Sequence, residues 1–190
     1  MAIFKHPRWC DFCTKYIWRY NRLSYPVAKK IALQISLDSR VLEIGTGTGL
    51  VTSPLTKLIG DCKMVLTDPS KEMLKVARQK IKKNKVSFLI TSGENLPFKV
   101  KAFDVVFTVN TLHHVFDISK TVKEMKRVCQ DRILVCDIFA PRLGAKKLWA
   151  KFVKVVDKSN LLTIEQWREF FPGVKMVIKG IVVGIAARMR

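Results

Sequence analysis

Val41-Leu42-Glu43-Ile44-Gly45-Thr46-Gly47-Thr48-Gly49 is the stretch on which the fold turns. Its first half is a short apolar run, the pattern of a strand buried on both faces of a parallel sheet. Its second half places glycine at alternate positions, where the backbone can turn sharply and a ligand can approach without a Cβ in the way. A helix is expected over Leu50 to Ile59, and its free N–H groups and positive dipole end suit an anion. Pro54 fits that helix only near its start, because proline lacks the N–H donor and clashes with the preceding turn.

Outward from this loop the chain alternates. Strands are expected at Met64 to Thr67, Val86 to Ile90, Phe103 to Val109 and Ile133 to Ile138. Between them, Lys71 to Lys82 carries Met73, Leu74, Ala77 and Ile81 at helical spacing, and Ile118 to Val128 places Ile118, Val122, Met125 and Val128 on one helical face. Leu143 to Val156 reads as a basic amphipathic helix and Ile164 to Phe170 as a shorter one. Val174 to Met189 reads as two strands turning at Lys179 and Gly180. Strand–helix alternation implies an α/β Rossmann-like three-layer sandwich: a mostly parallel seven-stranded sheet with a C-terminal antiparallel hairpin. Residues 38–190 form that domain. Residues 1–37 precede it as an aromatic-rich extension with a helix near Val27 to Ser36 that packs on the core.

Spacing decides what the glycine loop holds. A dinucleotide loop reads G-x-G-x-x-G. Counted from Gly45 and Gly47, its third glycine would fall at Leu50, whereas here it is Gly49. That argues against a nicotinamide oxidoreductase. The motif, E-x-G-x-G-x-G beginning at Glu43, resembles the first motif of the class I S-adenosylmethionine-dependent methyltransferases. The resemblance implies that Gly45, Thr46, Gly47 and Gly49 wrap the methionine end of S-adenosylmethionine and that Glu43 positions its ammonium group. The competing reading makes Glu43 an ordinary loop or capping carboxylate.

Further segments carry the same resemblance. Asp68 lies about 20 residues beyond the loop, where an acid can accept both ribose hydroxyls. It could also cap the helix starting near Ser70. Asp68-Pro69-Ser70-Lys71-Glu72-Met73-Leu74 resembles the family's D-x-S-x-x-M-L continuation and places Pro69 beside the cofactor, with Met73 in the core. Ser92-Gly93-Glu94-Asn95-Leu96-Pro97-Phe98 resembles the family's D-A-E-x-L-P-F segment at the adenine. Ser92 stands where the family usually has an aspartate and offers a hydroxyl without charge. Leu96, Pro97 and Phe98 are expected to pack, and Asp104 to be a structural turn residue. Asn110-Thr111-Leu112-His113-His114-Val115 resembles a broad branch that includes quinone-biosynthetic and other small-molecule methyltransferases.

Methyl transfer is an in-line displacement, so the protein's main task is alignment. Asn110 is placed near the methyl. His113, with His114 beside it, is the candidate general base if the acceptor must lose a proton early; otherwise one histidine packs under the sheet edge and the other satisfies loop backbone groups. No D-P-P-Y or N-P-P-Y signature is present, which argues against amino methylation of adenine or glutamine. Trp18, Tyr20 and Tyr25 either roof the acceptor pocket or form the packing face of a helix.

Thirty-five Lys and Arg against fifteen Asp and Glu give a formal charge of +20, so RNA or an anionic membrane surface joins a small-molecule acceptor as a possible partner. The alternative to an enzyme is a non-catalytic or RNA-directed basic module that keeps the fold. The longest late apolar stretch, Gly180 to Ala187, is far short of the ~20 residues a spanning helix needs. Met1 to Trp9 has no apolar run of the signal-peptide kind, so the cytoplasm is the expected setting. Five cysteines, an odd number, suit reduced thiols. Cys10 and Cys13, with His6, could begin a metal or redox site, but no second ligand pair completes one, so no metal is expected.

Overall fold

A computed structural model describes residues 21–82, 84–138, 160–174, 176–179 and 182–189. Its elements in chain order are α1 (Asn21–Ala32), β1 (Arg40–Ile44), α2 (Thr52–Leu58), β2 (Lys63–Asp68), α3 (Lys71–Lys80), β3 (Val86–Ile90), β4 (Phe103–Val109), a 3₁₀ turn (Leu112–His114), α4 (Ile118–Val128), β5 (Cys129–Ile138), α5 (Ile164–Phe170), β6 (Met176–Lys179) and β7 (Val182–Arg188). The strands form one seven-stranded sheet in the order β3-β2-β1-β4-β5-β7-β6. The first five run parallel, and β7 pairs antiparallel with both β5 and β6. Lys179 pairs with Val182, in keeping with the expected hairpin.

Side chains alternate along each strand and build a core on each face. Val41, Val105 and Phe107 pack with Leu55 of α2, Ala77 of α3 and Ala28 and Ile31 of α1. Leu42, Val106 and Ile133 pack on the other face with Val122 and Met125 of α4 and Trp167 of α5. Each fully buried Leu, Ile or Phe contributes on the order of 1.5–3 kcal/mol, so these two faces are the main source of stability.

Several boundaries differ from the sequence reading, each for a local reason. α2 begins at Thr52 rather than Leu50, because the glycine loop turns back on itself with Gly49 N–H donating to Thr46 O at 2.9 Å. Pro54 is then the third helical residue, where its missing donor has no intrahelical partner to lose. α3 ends at Lys80; Ser70 caps it by accepting Met73 N–H, so the capping role offered to Asp68 belongs to Ser70. α1 spans Asn21–Ala32 instead of starting near Val27, and its end tightens into three-residue turns, Gln34 N–H to Ile31 O and Ile35 N–H to Ala32 O. β5 starts at Cys129, four residues early, because Cys129 pairs with Phe103 and Arg132 with Val105 across a register shift that carries Gln130 and Asp131 between them. Pro97 is exposed rather than packed, whereas Leu96 is buried and Phe98 meets Phe103 edge-on at 4.8 Å. Asp104 lies within β4 and grips Arg40 at the start of β1, accepting its backbone N–H at 2.8 Å and its guanidinium at 2.9 Å. The helix read at Leu143 to Val156 lies outside the described residues.

Candidate active site

The strand order reverses between β1 and β4, and β1 has β2 on its other side. In open α/β sheets the crevice beyond the carboxyl ends of such strands is where ligands bind. The glycine loop, Asp68, Ser92 and the turn after β4 all lie at these carboxyl ends.

The loop leaves β1 with Gly45 and Thr46 N–H donating to Thr67 O, at 2.8 and 2.9 Å. Gly45 has φ +72°, and a Cβ there would overlap the Thr111 side chain. Thr111 Oγ1 donates to Gly45 O at 3.0 Å, so the loops after β1 and β4 are joined. Gly47 has φ +54° and opens to space, with no atom within 4 Å of where a Cβ would stand. Its N–H donates to Asp68 Oδ2 at 2.9 Å, while Ser70 N–H donates to Oδ1 at 2.9 Å. Asp68 is buried, and that burial raises its pKa against the pull of these two N–H bonds.

Glu43 is 2 % exposed, on the sheet face shared with α2. Thr46 Oγ1 donates to its Oε2 at 2.6 Å, and Thr52 Oγ1 donates to the same oxygen. Oε1 takes no hydrogen bond from the described residues. Burial lifts the Glu43 pKa to about 7; the two hydroxyls pull it back down and the Asp68 charge adds to the rise. A buried carboxylate with two neutral donors and no cation among the described residues is a site for an ammonium group. An open glycine turn, that buried acid and a second acid at the end of β2 fit the methionine and ribose parts of S-adenosylmethionine.

Beyond β3, Thr91 Oγ1 donates to Asn95 O at 2.9 Å and closes the segment that carries Ser92, Gly93 and Glu94. Gly93 sits under Ile44 and Thr121, where a Cβ would come within 3.0 Å of each. Glu94 reaches across to the loop after β4, accepting Phe116 N–H at 3.0 Å. Arg127 of α4 holds the same segment from below through Phe98 O and Leu96 O, at 2.7 and 2.9 Å.

Asn110 takes φ +53° at the end of β4, a left-handed turn that asparagine tolerates, and its N–H donates to Cys136 O at 2.7 Å. His113 is buried, with Nδ1 at 2.5 Å from Asp137 Oδ1. Asp137, 1 % exposed, also accepts N–H from Thr111, Leu112 and Ile138, at 3.2, 2.7 and 2.7 Å. A carboxylate can only accept, so Nδ1 is the donor of this bond, and in the neutral imidazole Nε2 is then the acceptor. His114 is exposed and lies against His113 with ring centroids 3.9 Å apart.

Of the expected site residues, Glu43, the glycines, Thr46, Asp68, Pro69, Ser92, Gly93, Glu94, Asn110 and His113 lie at the carboxyl end of the sheet. Tyr25 is 53 % exposed on α1. Trp18, Tyr20, Cys10, Cys13 and His6 lie outside the described residues. Thr52, Thr111 and Asp137 went unnoticed in the sequence reading. Asp137 had a signal, a lone acid closing the apolar run Ile133-Leu134-Val135-Cys136; the two threonines had none.

Comparison with known proteins bears on this geometry. A family model described as a methyltransferase domain matches residues 42–134. The ubiquinone/menaquinone biosynthesis C-methyltransferase UbiE of Vibrio campbellii is 34 % identical over 111 residues, covering 55 % of this chain and 43 % of that one. The uncharacterized methyltransferase YcgJ of Bacillus subtilis is 33 % identical over 109 residues, covering 55 % and 42 %. This chain thus spans less than half the length of these curated relatives. The crystal structure of B. subtilis YcgJ superposes with a TM-score of 0.70 at 25 % identity, over 83 % of this chain and 71 % of that chain. A Thermotoga maritima methyltransferase, described as a possible histamine N-methyltransferase, shares the fold at a TM-score of 0.67 and 21 % identity, over 94 % of this chain and 98 % of that one. Glycine loop, sheet order and family match agree: residues 42–134 match the methyltransferase domain, and the chain is similar in sequence and fold to the class I methyltransferases, whose cofactor is S-adenosylmethionine.

Proposed function

We propose that this chain transfers the methyl group of S-adenosylmethionine to a small-molecule acceptor in the cytoplasm. The observation that carries the reading is the tie between Gly47 N–H and Asp68 Oδ2 at 2.9 Å, beside open space above Gly47 and the buried Glu43 carboxylate. When bound, the cofactor supplies a methyl carbon activated by a positively charged sulfur. Gly45, Thr46, Gly47 and Gly49 wrap its methionine end, and Glu43 takes the ammonium group. Asp68, with Pro69 beside it, accepts the ribose hydroxyls. Ser92, Gly93 and Glu94 border the adenine, where Ser92 gives a neutral contact in place of the usual carboxylate.

Alignment is the residues' main contribution to rate. Asn110 lines the methyl end of the site. His113, held by Asp137, receives at Nε2 the proton of an acceptor that must lose one. Tyr25 contributes to the acceptor side, as Trp18 and Tyr20 do in the sequence reading. The small-molecule preference draws support from the similarity to UbiE, a ubiquinone/menaquinone biosynthesis C-methyltransferase. No helix among the described residues is long and apolar enough to cross a membrane.

Isothermal titration with S-adenosylmethionine and with NAD tests the cofactor: binding of NAD alone overturns the proposal. A labelled-methyl screen of small-molecule, lipid, protein and RNA fractions tests the acceptor. Label entering RNA alone would replace the small-molecule reading by the RNA-directed one.

A further inference from the structure

The basic residues look evenly spread along the sequence, but among the described helices the fold sorts them. Helices α1, α2 and α3 share one face of the sheet, with Ala28, Leu55 and Ala77 in a single core. Their described side chains include seven cations and one carboxylate, Glu72. On the opposite face, α4 and α5 carry five cations and three carboxylates, and Arg127 is already paired with Glu124 at 2.6 Å.

The asymmetry peaks on α3. Lys71, Lys75 and Arg78 recur at helical spacing along its solvent side, all exposed, and exposed Lys82 follows just beyond the helix end. The stripe begins three residues after Asp68, so it runs away from the cofactor site. Arg78 lies over the Phe88 ring at 5.0 Å, on edge strand β3, setting a planar cation–aromatic pair beside the lysines. Of the apolar residues of α3, Met73, Leu74 and Ala77 are buried in the core and Val76 is partly exposed, which leaves no apolar stripe on this helix to enter a bilayer. Phosphate-spaced cations next to a stacking group are the combination that holds a single-stranded nucleic acid.

We infer that the α1–α3 face, centred on Lys71, Lys75 and Arg78, binds the backbone of single-stranded nucleic acid. Contact with about four phosphates gives a slope of log K against log salt near −2.8, a weakening of about fiftyfold between 50 and 200 mM salt.

The test is fluorescence anisotropy of labelled oligouridylate with the full chain across that salt range. Two double charge reversals of equal net change are compared: K71E/K75E on this face and K120E/K123E on the other. The first should weaken binding at least tenfold and the second less than threefold, with S-adenosylmethionine affinity unchanged in both. Should K71E/K75E fail to fold, the neutral K71Q/K75Q pair is measured instead and should weaken binding at least fivefold. Equal weakening by both double variants, or no binding of oligouridylate by the wild type, overturns the inference. So does tighter binding, at the same salt, to vesicles containing 30 % phosphatidylserine.

Discussion

Asp137 at the end of β5 and His113 after β4 meet through Oδ1 and Nδ1 at 2.5 Å, although 24 residues separate them. The same carboxylate takes the backbone N–H of Thr111 and Leu112, so one buried acid fixes both the imidazole and the turn that presents it. Replacing it by alanine leaves several buried donors without an acceptor. D137A should therefore lose about 3 kcal/mol in urea unfolding. D137N, which keeps one acceptor oxygen, should recover part of that loss.

Glu43 makes stability and cofactor affinity respond to pH in opposite senses. Its pKa is about 7 in the fold against about 4.5 in the unfolded chain, so the folded state holds the proton more tightly. Its contribution is most favourable below pH 4.5 and is lost as pH rises through 7, a change of about 3 kcal/mol. Wild type should thus lose stability relative to E43Q between pH 5 and pH 7.5, measured by urea unfolding of the cofactor-free protein. Affinity for S-adenosylmethionine should instead rise about tenfold per pH unit below 7, as the carboxylate ionises to meet the ammonium group. Titration calorimetry on E43Q should give a profile without that rise.

Two glycines of the loop should respond differently to the same substitution. G45A places a methyl group in the Thr111 side chain at φ +72° and should cost more than 2 kcal/mol of stability. G47A has free space, so only its φ of +54° opposes it, at about 1 kcal/mol. Yet G47A should weaken S-adenosylmethionine at least tenfold, because the added methyl occupies the space the ligand enters. Thermal melts paired with calorimetry separate the two effects.

Asp68→Ala should weaken the cofactor by a factor of ten to a hundred while shifting stability by about 1 kcal/mol, since Ser70 still caps α3. Unchanged affinity would remove Asp68 from the ribose role.

Local patterns carried most of the fold into view. The spacing of Ile118, Val122, Met125 and Val128 returned α4 to the residue, and the glycine spacing placed the loop at the end of β1. The misreadings arose where backbone pairing outweighs side-chain character. Gln130 to Arg132 look like a loop yet belong to β5, because Cys129 and Arg132 pair with β4 on either side of a register shift, whatever side chains lie between them. The site was legible where one motif contains it and opaque where distant segments meet. Glu43 was visible as a motif residue, but its bond to Thr52 depends on how α2 folds back after nine residues. Thr111 and Gly45, 66 residues apart, become neighbours only through the pairing of β1 with β4.

The placement of β7 between β5 and β6 also sets an order of assembly. β6 is synthesised before β7, but among the described residues its only strand neighbour is β7. It therefore joins either after β7 has docked on β5 or together with β7 as a preformed hairpin. Hairpins close in microseconds, whereas pairing of distant segments is slower, so the hairpin route is the faster one. On that route the sheet grows at this edge two strands at a time.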